Sequence, residues 1–460
     1  MQDEPDLDRR WRASVERVLK GASFDEVLVS RTADDLRIEP LYPTVSPGPR
    51  AFRQRTDRPW RIVQRVDHPE AGPANELALA DLEGGADGLN VVFAGAPGSF
   101  GFGLRDADAL AGAMAGVELD LVSLALDPAP GGARETVEAL RSLAAERRLT
   151  PDRLDIRFGL DPLSSEDGIA MLARRLYEDG FANGLLRADG ARHHEAGATE
   201  AEEIAAAVSS ALCGLRMLEA AGMPLEAANA ALDFRLAVDQ DQFLGIAKLR
   251  ALRQVWAGVE TACGLVPRPL RLDARSSRRM MTTRDGETNL LRLTLAGFSA
   301  GMGGADALSL LPHSAAAGLP DAFARRLARN LQHILVDECR LAVVGDPAAG
   351  SGAFEALTQS LAERATAILN EIEQGGGLGR ANAREAWSQR LAVSRARRAA
   401  EFAAGSRVLL GVTLFPPAVE RPAGILDVVR SDPADADPWP PCRDENLAQP
   451  TPNGGGENSS

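Results

Sequence analysis

The chain has 460 residues, of which 45% are hydrophobic and 25% are charged, so most of it has enough apolar surface to bury a core. Its 65 acidic and 51 basic residues leave a net charge of -14, which repels phosphate backbones and argues against nucleic-acid binding. No apolar run is long enough to predict a membrane span. The four cysteines form no CxxC pair and the acidic amino terminus lacks an apolar core, so a cytoplasmic location is expected.

Residues 1–79 are predicted to form a helix followed by an extended arm. The helix is expected around Trp11 to Leu19. The arm spans residues 20–45, where Pro40 and Pro43 disfavour a packed helix. Such an arm is expected to lie on some other surface.

From residue 80 onwards, short apolar runs alternate with Ala- and Leu-rich stretches. Several of these stretches carry apolar residues at spacings of three and four, as helices that cover a sheet do. The strand candidates are residues 88–95, 119–127, 154–160, 184–189, 234–239, 270–277, 305–311 and 340–347. The helix candidates include residues 133–148, 201–222, 243–263 and 319–339.

Eight strands that alternate with helices predict an α/β fold, a (β/α)8 TIM barrel over residues 80–416 with trailing helices. Parallel strands need crossover connections, and eight of them close a sheet without leaving edges. An open doubly wound sheet is the competing fold. The C-terminal helical extension includes a strand-like segment at 408–415. Residues 417–460 are rich in Pro, Asp, Asn and Gly and are predicted to be a disordered tail.

Polar residues follow the sixth strand candidate, at what would be the mouth of the barrel. The candidates there for contact with a ligand or a partner are Arg275, Ser276, Ser277, Arg278 and Arg279, and a solvated charged surface is the alternative. The pair His193-His194 suggests a metal site, but adjacent residues at a strand end point in opposite directions and no HExxH spacing is present. No metal site is therefore predicted. The glycine-rich segment 95–103 is interpreted as a flexible loop rather than as a phosphate cradle.

Five segments, in the correct order, resemble the substrate-binding barrel of methylmalonyl-CoA mutases. The segment TADDLRIEPLYP is similar to the N-terminal arm motif of that family. HHEAGATEAEEIAAAVSSALCGLRMLEAAG resembles its Glu-Ala-Gly-Ala segment and the helix that follows. Further blocks are matched by IAKLRALRQVW, ARSSRRMMTTRDGETNLLR and DPAAGSGAFEALT. The resemblance covers roughly residues 10–415, and residues 305–330 resemble the small subunit of heterodimeric members more than the catalytic one.

This resemblance implies a carbon-skeleton rearrangement carried out by adenosylcobalamin, for which the protein binds, orients and shields the substrate. In the family, an Asp-x-His-x-x-Gly motif in a separate C-terminal domain supplies the cobalt ligand. None of the five histidines here has Asp two positions before it, and only a polar tail follows the barrel. The chain is therefore expected to bind no cofactor itself, with adenosylcobalamin held by the partner subunit.

The resemblance also implies that catalytic side chains are missing. Active members place Tyr-His shortly before the Glu-Ala-Gly-Ala segment, where this chain has Ala191 and Arg192, and a further active-site Tyr corresponds to about Arg65. A permanently charged guanidinium is not a conservative replacement for an imidazole. No catalytic residue is predicted. The candidates for residual substrate binding are Arg65, Arg192, His193, Arg275 and Ser277.

The leading hypothesis is a non-catalytic barrel subunit that stabilises a larger catalytic mutase subunit carrying the cobalamin domain. An alternative is a catalytic acyl-CoA mutase barrel that uses cobalamin from a separate protein, with Arg65, Arg192 or His193 taking over the missing roles. A third hypothesis is a barrel that assembles a mutase chaperone complex.

Overall fold

Parallel strands form a barrel at the centre of the molecule. The computed structural model describes residues 4–46, 59–431 and 438–448. Two short strands, β1 (Ser30–Arg31) and β2 (Arg37–Ile38), make a separate antiparallel pair in the N-terminal arm. The barrel strands are β3 (Arg61–Val66), β4 (Gly88–Val92), β5 (Ser123–Asp127), β6 (Ile156–Arg157), β7 (Leu186–Asp189), β8 (Leu232–Val238), β9 (Leu272–Ser276) and β10 (Ala307–Ser309).

The order of these strands confirms the (β/α)8 barrel. Neighbouring strands are hydrogen-bonded in the order β6-β5-β4-β3-β10-β9-β8-β7, and all the pairs run parallel. The first barrel strand, β3, therefore pairs with the last, β10. A parallel bridge between Leu160, which follows β6, and Leu186 of β7 connects the first and last strands in this order and closes the barrel. Because an open doubly wound sheet has two free edges, that alternative is excluded.

Seven of the eight strand candidates are confirmed, and the eighth is wrong. Residues 340–347 form turns and bends, in which Val343 and Val344 are 69% and 56% exposed. The remaining barrel strand is Arg61–Val66, which precedes the predicted start of the barrel at residue 80. Buried polar side chains within this strand interrupt its apolar pattern, which explains why the sequence does not reveal it.

Helices surround the barrel and extend beyond it. The predicted helices at 133–148, 201–222 and 243–263 are confirmed, and the one at 319–339 ends in a π-helical turn at Ile334–Glu338. Among the described residues, no helix is both long and apolar enough to cross a membrane. The helices are α1 (Glu4–Leu19), α2 (Phe24–Leu28), α3 (Ala71–Glu83), α4 (Ala109–Ala113), α5 (Ala133–Glu146), α6 (Ile169–Glu178), α7 (Gly190–Glu195), α8 (Glu200–Ala220), α9 (Leu225–Ala230), α10 (Gln242–Ala262), α11 (Asn289–Met302), α12 (Ala322–His333), α13 (Gly352–Gln374), α14 (Ala381–Ala403) and α15 (Asp444–Ala448). Single 3-10 turns lie at Pro151–Arg153 and Gly286–Thr288.

The N-terminal arm folds back onto helix α8 of its own chain. This helix begins with a capping box, in which Thr199 and Glu202 each accept the backbone N–H of the other. The carboxylate of Asp34 in the arm accepts the Thr199 hydroxyl at 2.5 Å and the N–H of Ala201 at 3.1 Å. This carboxyl group therefore lies at the N-terminal, positive end of the helix dipole. The predicted helix at Trp11 to Leu19 is confirmed by α1, which begins earlier.

The C-terminal region crosses the mouth of the barrel. The N–H of Leu426 donates to Leu319 at 2.7 Å, that of Ser431 to Gly101 at 2.9 Å, and that of Cys442 to Glu195 at 2.8 Å. Trp439 is only 3% exposed. Of the tail predicted to be disordered, residues 417–431 and 438–448 are described, whereas 432–437 and 449–460 lie outside the described residues. Residues 408–415 form turns with one isolated bridge, so the predicted strand there is also wrong.

Candidate functional site

Charged side chains fill the bore of the barrel. Arg187 pairs with Asp127 at 2.6 Å and with Asp233 at 3.2 Å, and Arg235 also reaches Asp127, at 2.9 Å. Burial by itself would raise the pKa of Asp127, but Arg235, Arg187 and Arg275 together lower this pKa below its usual range. Asp127 therefore stays ionised and paired with Arg187 and Arg235 inside the barrel.

A second set of polar contacts continues along the bore. Arg157 forms an ion pair with Asp273 and donates to the hydroxyl of Ser123 at 3.0 Å. The amide of Asn90 donates to Asp127 at 2.9 Å. The space left between these side chains is a cavity of about 20 Å³, which has room for one water-sized particle. An extended ligand therefore finds no open path through the bore.

A larger cavity of about 370 Å³ lies at the carboxyl ends of β5, β6 and β7. Prolines and leucines line it together with Arg192, His193 and Trp439. Arg192 pairs with Asp161 at 3.1 Å, and its guanidinium lies 4.8 Å from the centre of the Trp439 ring. The volume falls within the range of small-molecule sites, and the C-terminal segment closes one side of it.

His193 is held as a neutral imidazole at the edge of this cavity. Its Nδ1 atom accepts the indole N–H of Trp387 at 3.1 Å, so the ring proton is on Nε2. The ring centre lies 4.5 Å from that of Trp439. Burial and the neighbouring charge of Arg192 hold the pKa of His193 well below its usual range. His193 is therefore uncharged near neutral pH, and its Nε2–H group is able to donate a hydrogen bond.

The neighbouring residue His194 faces a separate, fully buried network. Its Nε2 atom lies 2.9 Å from the Ser277 hydroxyl and its Nδ1 atom 3.1 Å from the Glu203 carboxylate. This is the order of contacts in a Ser-His-acid triad, but all three side chains are 0% exposed and Lys248 also pairs with Glu203, at 2.6 Å. Burial, together with Arg279 and Lys248, lowers the pKa of His194 well below its usual range. Without access for a substrate, the network is structural.

The five predicted site residues are found in three different places. Arg192 and His193 line the 370 Å³ cavity, whereas Ser277 belongs to the buried network of His194. Arg65 and Arg275 lie together on the ring of Phe100, in the 95–103 loop. Sequence reasoning missed Glu203, Lys248 and Trp439. The acidic run at the start of α8 is the one sequence signal for Glu203. Lys248 and Trp439 have no such signal, because their contacts join distant parts of the chain.

The two adjacent histidines do not share a ligand. The sequence suggested a strand end for these two residues, but they lie on the short helix α7. Their rings nevertheless face different neighbours, Trp387 and Ser277. Within the parts of the chain that the structure describes, no three His, Cys, Asp or Glu side chains are grouped to hold a metal ion.

Fold and site together define a (β/α)8 barrel with a ligand-sized cavity at the carboxyl ends of its strands and a bore closed by ion pairs. The family model for methylmalonyl-CoA mutase matches residues 185–436. The methylmalonyl-CoA mutase small subunit of Streptomyces virginiae is 36% identical, over 93% of this chain and 72% of its own length. Small subunits from Mycobacterium tuberculosis (described as probable) and Propionibacterium freudenreichii subsp. shermanii are 34% and 30% identical, over 88% and 89% of this chain and 71% and 68% of their own lengths. The chain belongs to the methylmalonyl-CoA mutase family, whose members are isomerases that depend on cobalamin.

The described residues do not fit a bound cobalamin. A corrin ring needs a broad open face above the strands, and here residues 438–448 lie across that face through hydrogen bonds to Glu195 and Arg279. The 370 Å³ cavity beneath them is too small for the macrocycle, and Trp439 occupies its rim. His194 uses both ring nitrogens within its buried network.

Proposed function

We propose that this chain is the small, non-catalytic subunit of a heterodimeric adenosylcobalamin-dependent methylmalonyl-CoA mutase, which interconverts methylmalonyl-CoA and succinyl-CoA. Its role is to stabilise a larger catalytic subunit that carries the cobalamin domain. The names of the relatives from Streptomyces virginiae and Propionibacterium freudenreichii, both called small subunits, support this assignment.

The observation that carries the proposal is the filled bore. An acyl thioester has to be held in a defined position for a rearrangement, and positioning of this kind requires open space lined by suitable groups. Here Arg157, Arg187 and Arg235 occupy that space with their carboxylate partners. Removing one partner would leave a buried charge uncompensated, so the ion pairs are not displaced easily.

A second candidate function is a catalytic acyl-CoA mutase barrel that receives cobalamin from a separate protein. The 370 Å³ cavity favours it, because Arg192 and His193 line that space. In that case the residues that bind substrate would be Arg65, Arg192, His193, Arg275 and Ser277. The buried position of Ser277 and the ion pairs that fill the bore make this the less supported of the two.

A turnover experiment separates the two proposals. The purified chain, the larger mutase subunit and an equimolar mixture are each assayed with adenosylcobalamin and methylmalonyl-CoA. We expect no succinyl-CoA from this chain alone and full turnover from the mixture, with cobalamin absorbance co-eluting only with the larger subunit. Turnover by this chain with cobalamin, either free or on a separate carrier protein, would contradict the non-catalytic assignment and support the second candidate.

We further propose a cytoplasmic location. It is supported by the four cysteines, Cys213, Cys263, Cys339 and Cys442, all of which are free. Unpaired thiols are typical of proteins that work in a reducing compartment.

A further inference from the structure

Three guanidinium groups surround a single phenyl ring beneath the 95–103 loop. The central carbon of Arg278 lies 4.8 Å from the centre of the Phe100 ring, and those of Arg65 and Arg275 each lie 5.6 Å from it. Arg65 comes from the end of β3, and the other two come from the end of β9 and the turn that follows. These four residues are called the arginine cage.

Several nitrogen atoms of the cage have no hydrogen-bond partner among the described residues. Arg275 is only 3% exposed, and both of its terminal nitrogens are buried without a hydrogen-bond partner. The same holds for Nη1 of Arg65 and Nε of Arg278. Buried polar groups are nearly always hydrogen-bonded, and an unpaired buried charge is especially costly. The cage therefore lacks an acceptor.

The carboxylates nearby form no hydrogen bond with these unpaired nitrogens. Asp67 pairs with Nε of Arg65 at 2.9 Å. Burial raises the pKa of Glu195, which accepts the backbone N–H of Arg278 at 2.7 Å and leaves its second oxygen unpaired. Burial and the charges of Arg235 and Arg65 lower the pKa of Arg275, although Asp189 and Asp127 attract it. Both of these carboxylates already pair with Arg235.

The backbone of the loop is shaped to cover the cage. Phe100 has a φ of 57°, a left-handed conformation that is unusual for a bulky residue. Gly98 lies so close to Arg275 that an added Cβ would be 2.7 Å from the guanidinium. Two small cavities of about 20 Å³ each adjoin the cage, one lined by Arg65 and Phe100 and the other by Arg275. Each has room for a particle the size of one water molecule, and a phosphate group is too large.

We propose that the arginine cage binds one monoatomic inorganic anion of the halide class, with chloride as the natural occupant. The anion accepts hydrogen bonds from the unpaired nitrogens of Arg275 and Arg65, and it offsets the repulsion among the three guanidinium groups. Bound there, it holds the 95–103 loop down over the mouth of the barrel. The site is separate from the 370 Å³ cavity.

Thermal unfolding of the full chain in two salts tests this proposal. Sodium chloride is titrated against sodium gluconate at constant ionic strength, since gluconate is too large for the cage. We expect the midpoint of unfolding to rise with the logarithm of the chloride concentration above the dissociation constant and to lie about 3 °C above gluconate at the end of the titration, as for a ligand that binds only the folded state. The variant Arg275→Gln should lose this dependence. The control Arg430→Gln removes an arginine on the neighbouring Phe102 ring and should keep it.

A crystal grown in bromide gives a readout that does not depend on the variant folding. We expect one anomalous peak within hydrogen-bond distance of Arg275 and Arg65. Equal midpoints in both salts, chloride dependence that survives in Arg275→Gln, or ordinary water density in the cage would each overturn the proposal.

Discussion

Two arginines at the mouth of the barrel determine what this site is able to do. Arg192 and Arg65 lie where the family resemblance leads one to expect His and Tyr, and each is held by a carboxylate, Asp161 at 3.1 Å and Asp67 at 2.9 Å. A guanidinium group donates hydrogen bonds but does not release its proton near neutral pH. At the scale of single residues, these two side chains are able to donate hydrogen bonds at the mouth but not to transfer protons.

The buried network around Glu203 makes a stability prediction. Its carboxylate accepts from Lys248 at 2.6 Å and from the N–H of Ala237 at 2.6 Å, and it also contacts His194. The change Glu203→Ala leaves the buried ammonium of Lys248 without a partner, which costs about 3–5 kcal/mol of unfolding free energy. A large drop in the thermal midpoint and in soluble yield is therefore expected.

A matched control lies on the same helix. Glu219 is an exposed glutamate of α8, so Glu219→Ala should change the unfolding free energy by less than about 0.5 kcal/mol. If both variants have the same thermal midpoint as the wild type, the Glu203 network does not stabilise the barrel.

At the scale of elements, the N-terminal arm is tied to helix α8 through Asp34. Burial raises the pKa of this carboxyl group to about 7, and Glu200 adds to the effect, while Thr199 and Ala201 oppose it. When the arm is undocked, the pKa of Asp34 returns to 3.8, the ordinary value for an aspartate in water. Between about pH 4 and 7 the docked state therefore binds more protons, so docking weakens as the pH rises through this window.

Hydrogen exchange at residues 30–38 measures that docking. After correction for the intrinsic exchange rates, protection of the arm should fall from pH 5 to pH 7 by up to about tenfold per pH unit. The variant Asp34→Asn keeps an acceptor for Ala201 but cannot ionise, so the protection of its arm should not change with pH. Asp35→Asn, at the exposed neighbour, serves as the control and should behave as the wild type. A pH dependence that persists in Asp34→Asn would show that another group controls the arm.

The elements also show where sequence patterns succeed. Helices with apolar stripes and strands with continuous apolar runs are predicted correctly, because their periodicity reflects burial on one or both sides. The strand Arg61–Val66 escapes prediction, since Gln64 and Arg65 are buried polar residues that interrupt the apolar run. The false strand at 340–347 has a similar run of apolar residues, but its valines face solvent.

The site is harder to predict than the fold. Residue types at the mouth, such as Arg192 and Arg275, are identifiable as polar groups that follow strands. Their partners are not, because pairs such as Ser277 with His194 join segments 83 residues apart. Trp439 lies in a Pro- and Asp-rich stretch, and its burial depends on a cavity rim that no local pattern encodes.

At the scale of the whole molecule, this barrel has kept the outline of a family of acyl-CoA isomerases and has closed its interior. The bore contains ion pairs, residues 438–448 cross the mouth, and the arm is pinned at Asp34. A rigid, closed barrel of this kind is suited to present a fixed surface to a larger partner. If the proposed function holds, only the barrel of the larger subunit would have an open path for the thioester.

Binding stoichiometry tests this claim most directly. The reconstituted heterodimer is titrated with succinyl-CoA by calorimetry, with this chain alone titrated in parallel. The account predicts one acyl-CoA per heterodimer and no binding heat from this chain alone. Two equivalents per heterodimer, or saturable binding to the isolated chain, would contradict it.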